Sequence, residues 1–251
     1  MQLLIELSLI YIIGGTFGWI LELIYRRFAH RRWINPGFLV GPNLPLYGTG
    51  VVALYLLCNG DYSFLPSPVW RTVFLIVLIT LTMTAIEYVT GLYFTKRENV
   101  KLWDYSDRWG NVDGIICPLF SAIWGLIGTG YLFFVHAPLK EAAHWIGSNT
   151  EFSYFVGAYF GIMAVDVCYS FGVVGKIRTF AKEQKLTVRY EEFKNFIRQK
   201  AEEWQEKTSF ILAFKTGAKP LREVLEKYFE EMEERRELRR ENRRRKRSGK
   251  Q

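Results

Sequence analysis

Five long apolar stretches fill the first 175 residues, at roughly 3–24, 37–59, 69–94, 114–136 and 152–175. A bilayer's hydrocarbon core takes about 20 apolar helical residues to cross, and each stretch is long enough. A chain built this way folds as an integral membrane protein. One such stretch could be a buried core helix, but five in series with loops of alternating charge are not explained that way. The expected fold is all-α: a polytopic bundle of about five membrane helices, with the second segment broken, followed by a helical tail.

Charge sets the expected orientation. Lys176 to Gln251 carry 23 basic and 14 acidic residues, a net of +9, whereas the first 175 residues carry 10 and 11. Within the front part, Arg26, Arg27, Arg31 and Arg32 follow the first stretch, and Lys96, Arg97, Lys101 and Arg108 follow the third. The other two loops hold almost no basic charge. The positive-inside rule then places the N-terminus outside and both basic loops and the C-terminus in the cytoplasm. The first stretch is too long for a cleavable signal, and its charge follows it rather than precedes it. The domain reading is a transmembrane bundle at 1–175, cytoplasmic amphipathic helices at 176–234 and a disordered polybasic end at 235–251. In the tail, Phe193, Phe196, Ile197 and Trp204 share one helical face. Leu221, Val224, Leu225, Tyr228, Phe229 and Met232 share another. Gly217 breaks the chain between them, and Pro220 can start the second helix.

Ionisable groups inside spans are costly and usually paired or functional. Four carboxylates stand out: Glu6, Glu22, Glu87 and Asp166. Glu6 belongs to the outer end of the first span and Glu22 to its inner end. At 1.5 Å per residue, Glu87 sits about 10 Å and Asp166 about 14 Å above the cytoplasmic boundary. Arg26 lies one turn from Glu22 and suits a local pair. Glu87 and Asp166 have no basic neighbour within a turn or two, so they need interhelical partners, water or a ligand.

The second stretch begins at Asn35 and holds Pro36, Pro42 and Pro45 with Gly37, Gly41, Gly48 and Gly50 within sixteen residues. Proline removes a donor and clashes with the preceding turn, so no regular helix is expected before about Leu46. Irregular backbone at membrane depth survives only where protein buries it or it lines a cavity. A proline-rich helix entry fits the same residues. Candidate lining groups here are Asn35, Gly41, Pro42, Pro45, Tyr47 and Gly48. The loop after the third span adds Trp103, Asp104, Tyr105 and Asn111. Its aromatic residues suit the membrane interface, and Asp104 could cap a short interfacial helix. The small-residue pairs Gly14/Gly18 and Gly157/Gly161 have helix-contact spacing. Together the clusters predict one cavity bordered by Glu22, Glu87 and Asp166 and floored by Asn35–Gly50 and Trp103–Asn111.

Two clusters also carry a resemblance. Gly18-Trp19-Ile20-Leu21-Glu22 and Trp33-Ile34-Asn35-Pro36-Gly37-Phe38-Leu39-Val40-Gly41-Pro42-Asn43-Leu44-Pro45-Leu46-Tyr47-Gly48 resemble the ABC-transporter permease family labelled type IV. So do Ile86-Glu87-Tyr88-Val89-Thr90-Gly91 and Leu102-Trp103-Asp104-Tyr105-Ser106 with Asn111 and Gly114. The motifs run in order over about 22–125, half the chain. Where the family usually shows Arg-Gly before its Phe-Leu-x-Gly-Pro run, this chain has Pro36-Gly37. The basic tail lies outside the resemblance.

The resemblance implies a polytopic subunit of a transport system, without an assigned substrate or catalytic set. The chain has no Gly-x-x-x-x-Gly-Lys-Ser/Thr loop, so an ATP-driven role needs a separate ATPase subunit. Five spans are few for a solitary transporter, so a homo-oligomer or partner is expected. Two other readings stay open: a membrane enzyme acting on a lipid or lipid-linked phosphate at the cytoplasmic face, and a scaffold whose tail recruits a partner. The histidines and the three cysteines, Cys58, Cys117 and Cys168, show no metal or disulfide spacing, and no metal or cofactor is expected. Besides the bilayer itself, anionic lipid headgroups are the expected partners of Arg243–Arg247. Such attraction is worth about 1 kcal/mol per basic residue at the surface. RNA or ribosome contact is a less favoured alternative, so nucleic acid is not the expected partner, and a merely solvated charge run is the plainest reading.

Overall fold

In the computed structural model, residues 1–31, 33–184, 186–203 and 220–248 are described, and they are almost wholly helical. Four helices are long and apolar enough to cross a membrane: Gln2–Phe28, Pro68–Arg97, Pro118–Ser148 and Thr150–Glu183. The regular elements are α1 (Gln2–His30), α2 (Pro45–Cys58), α3 (Pro68–Arg97), α4 (Pro118–Gly130), α5 (His136–Ser148), α6 (Ser153–Glu183), α7 (Tyr190–Glu203) and α8 (Leu221–Ser248). Two-residue strands, β1 (Val100–Lys101) and β2 (Val188–Arg189), pair in parallel. Sequence periodicity gave no hint of that pairing.

The second apolar stretch differs most from a plain span. Its helix starts at Pro45 and has 14 residues. That is about 21 Å of helix, short of a ~30 Å hydrocarbon core. Residues 35–44 are irregular, and Asn35, Leu39, Asn43 and Leu44 are buried among the helices. Pro45 occupies the first helical turn, where its missing donor costs nothing.

The fourth stretch runs longer than expected. The apolar stretch ends at about 136 in the sequence, and the charged Lys140 and Glu141 beyond it read as loop. The chain instead stays helical from Pro118 to Ser148, through a five-residue π turn at Tyr131–Val135. Pro138 supplies a reason for the irregularity. It cannot donate to the carbonyl four residues back, and a wider turn just before it absorbs the mismatch. The chain stays helical beyond the turn because Leu139 and Ala143 bury against Ile10, Leu54 and Tyr55.

Helices α1 and α2 pack closely through glycine. A methyl group at Gly18 would sit 2.5 Å from the Tyr47 ring, and one at Gly48 would sit 2.9 Å from the Tyr11 backbone oxygen. Gly14 makes a similar approach to Val51. The Gly14/Gly18 spacing therefore marks a real helix contact, whereas Gly157 and Gly161 face open space. Outside this packing, Leu4, Phe17, Leu81, Leu126, Phe155 and Ile162 are exposed along the long helices. So large an apolar surface suits lipid and not water.

A second core lies at one end of the bundle. Val174, Ile177 and Phe180 of α6 pack with Val100, Val188, Tyr190, Phe193, Val224, Leu225 and Phe229. Helix α6 runs unbroken through position 175, so the tail grows out of a membrane helix with no linker. Helix α8 continues to Ser248, through the stretch for which composition predicts disorder. Glu and Arg are good helix formers, and pairs such as Glu231–Arg235, one turn apart, support the visible part. Trp204 and Gly217 lie outside the described residues. Phe193 is fully buried at the centre of the tail core. Phe193→Ala should cost about 3–5 kcal/mol locally and free the tail, read as faster tryptic cleavage after residue 185 with α1–α5 still protected.

Candidate functional site

The broken segment before α2 is held by side chains from three helices. Trp19 Nε1 of α1 donates to Asn35 Oδ1 at 2.7 Å, and Asn35 Nδ2 donates to the Val40 carbonyl at 2.8 Å. The Leu44 amide reaches the Gly15 carbonyl at 3.0 Å. Asn43 Nδ2 donates to the Tyr159 hydroxyl at 2.7 Å. From α6, Asp166 accepts the Val40 amide at 2.9 Å and the Gly41 amide at 2.6 Å, and Ser170 donates to the same carboxylate at 3.0 Å. The bonds to the Val40 carbonyl and to the Val40, Gly41 and Leu44 amides meet backbone groups that the missing helix leaves open.

Beside this segment lies a partly enclosed cavity of about 380 Å³. That is within the range of small-molecule sites, about 300–1,000 Å³. It sits at the bundle end that carries the basic loops and the tail. Glu22 and Arg26 come from α1, Pro45 and Tyr47 from α2, Glu87 and Phe94 from α3, and Trp124 from α4. Phe171 comes from α6, Glu191 from α7, and Trp103 and Tyr105 from the loop after β1.

The charges inside are unequally partnered. Glu22 pairs with Arg26 at 3.2 Å and accepts the Tyr47 hydroxyl at 3.3 Å. Arg26 also contacts Glu191, which lies 3.5 Å from Lys194. Glu87 differs. It is 3 % exposed, its Oε1 accepts the Tyr105 hydroxyl at 3.2 Å, the Trp124 indole stands beside the carboxylate, and Oε2 is buried with no hydrogen bond of good geometry. No basic side chain among the described residues pairs with it.

The structure thus brings Glu22, Pro45, Tyr47, Glu87, Trp103 and Tyr105 to one cavity and leaves other candidates outside it. Asp166 binds the Val40 and Gly41 amides, and its neighbour Val167 lines the wall. Asn35 and Gly41 belong to the support of the broken segment. Gly48 is packed on Tyr11, and Pro42 is exposed. Asp104 caps no helix: it closes a turn by accepting the Ser106 amide at 3.1 Å and pairs with Lys101 and Arg189. Burial opposes its ionisation, but the Ser106 hydrogen bonds and the two cations outweigh burial and hold the carboxyl below its ordinary range. Asn111 ties the same turn, accepting the Gly114 amide at 3.1 Å and donating to the Arg108 carbonyl. Phe38 falls within the expected Asn35–Gly50 floor, whereas sequence reasoning missed Phe94, Trp124, Phe171 and Glu191. The aromatics read as ordinary core, and Glu191 sits far along the chain in the tail.

Helix α7 closes one side. Lys194 Nζ donates to the Asn35 carbonyl at 3.2 Å and the Gly37 carbonyl at 2.6 Å, and the Tyr190 hydroxyl donates to the Phe38 carbonyl at 3.3 Å. Burial pulls the Lys194 ammonium below the ordinary lysine value, with the Arg26 charge adding to the fall and Glu191 opposing it.

A multi-pass helical bundle with an irregular half-span beside an internal cavity defines a polytopic membrane protein. The chain belongs to the family described as Putative ABC-transporter type IV, whose model matches residues 9–171. That match spans the bundle and the broken segment and stops within α6, before the tail core. No curated protein and no solved structure matches the chain.

Proposed function

We propose that this chain is the membrane-spanning subunit of a transport system, acts with a separate ATPase, and offers its internal cavity as the substrate site on the cytoplasmic side. The single observation that carries this reading is the buried, incompletely partnered Glu87 in a cavity beside irregular backbone. Structure of this kind is tolerated at membrane depth where a pathway needs it. The family description supports a transport role, and the sequence holds no Gly-x-x-x-x-Gly-Lys-Ser/Thr loop, which is why a separate ATPase is part of the proposal. The basic end of α8 would lie at the cytoplasmic leaflet and attract anionic headgroups.

Two experiments test the proposal. Location reporters fused after Ser63, Asp107, Ser148 and Gln251 should read outside, inside, outside and inside. A cytoplasmic signal at Ser148 would overturn the orientation. Purification of the native complex from its own membranes should yield a subunit with a nucleotide-binding loop and vanadate-sensitive ATP hydrolysis. Isolation of this chain as a complete assembly without ATPase activity would refute the ATP-driven role.

A further inference from the structure

We infer that the cavity binds an organic monocation, an amine or quaternary ammonium group on a small apolar body, with Glu87 as its counter-ion. Its place as the transported substrate rests on the reading above, but its binding does not.

The charge balance points this way. Glu22, Glu87 and Glu191 line the cavity against one cation, Arg26. Arg26 is already held by Glu22 and Glu191. Lys194, beside Glu191, is committed to backbone carbonyls of the broken segment. Neither cation therefore serves Glu87. A carboxylate taken out of water without a partner is expensive, and a cationic ligand supplies what the fold leaves out.

The walls select the kind of cation. Phe38, Tyr47, Phe94, Trp103, Trp124 and Phe171 surround the space, and the Trp124 indole stands beside the Glu87 carboxylate. A small inorganic ion would need several oxygen or nitrogen ligands, and among the described lining residues Glu87 is the carboxylate not already tied to a cation. A bulky ammonium sheds its weak hydration readily and is attracted to aromatic faces. The excess negative charge works against anions. The volume accepts a small molecule and not a long lipid chain.

The test uses the full chain purified in an uncharged detergent, without ATP or any partner. Choline is the probe, and 3,3-dimethylbutan-1-ol, of the same shape without the charge, is the comparison. Binding is followed by calorimetry and by the change in intrinsic tryptophan fluorescence. Choline should bind saturably, the neutral alcohol at least about tenfold more weakly. Glu87→Gln should erase the preference, and Trp124→Leu should weaken choline binding about tenfold. Arg71→Gln, at the opposite end of α3, should leave both unchanged. Should Glu87→Gln fail to fold, the wild type still decides the matter. Choline should protect Glu87 from labelling by dicyclohexylcarbodiimide, read by mass spectrometry, and the alcohol should not. Equal binding of the two probes, no saturable choline binding, or labelling of Glu87 unaffected by choline would each overturn the inference. Choline binding to a chain whose native complex lacks ATPase activity would keep the site and remove the ATP-driven role. An ATPase complex without choline binding would do the reverse.

Discussion

Gly48→Leu should abolish the folded bundle. The new side chain would start 2.9 Å from the Tyr11 backbone oxygen and from its ring, and backbone inside a helix cannot step aside as a side chain can. Overpacking a core commonly costs about 1–3 kcal/mol, and contact with rigid backbone belongs at the top of that range or above it. Helices α1 and α2 form the widest contact in the bundle, so their separation also releases Leu44 from Gly15 and Tyr47 from Glu22. The expected result is loss of monodisperse protein on size-exclusion chromatography in detergent. Gly157→Leu, on an open face of α6, should elute as wild type. A Gly48→Leu protein that elutes normally would show that α1 and α2 can pack at a wider spacing.

Asp166→Ala should be nearly as damaging, for a different reason. It leaves the Val40 and Gly41 amides, in a partly buried region, without their acceptor. Each unmet buried donor costs about 1–3 kcal/mol, and bonds to an ionised acceptor are the stronger kind. A loss of about 2–5 kcal/mol follows, seen as a marked fall in the thermal unfolding midpoint. Asp166→Asn retains one carbonyl acceptor and should recover part of the loss. Glu87→Gln should lower the midpoint far less than Asp166→Ala, because it leaves the Tyr105 hydrogen bond possible. Equal loss at both positions would mean that Glu87 also supports the fold.

The two membrane carboxylates looked alike in the sequence. Both stood alone in apolar helices, and both had computed depths in the same leaflet half. Depth depends on rise per residue, which sequence supplies; rotation about the helix axis depends on packing, which it does not. That difference separated Asp166, turned to the irregular backbone, from Glu87, turned to the cavity. The break before α2 was legible because proline and glycine act locally. The start at Pro45 lay within a residue of the expected position. The helix through Ser148 was not legible, because two exposed charges resemble a loop until Leu139 and Ala143 are seen buried. The aromatic wall was equally hidden. Phe94, Trp124 and Phe171 come from three separate helices, and no local pattern joins them to Phe38.

The clasp between α7 and the residues before α2 has a mechanical consequence. Lys194 and Tyr190 grip the carbonyls of Asn35, Gly37 and Phe38, and β2, just ahead of α7, is stitched to β1 beyond α3. The tail is therefore fastened to two sides of the same chamber. It cannot swing away while the chamber keeps its shape, because the bonds that would break are those that shape it. Any load placed on the far end of α8 is delivered through this linkage to the backbone at the chamber's rim, as a pull on a handle reaches its latch.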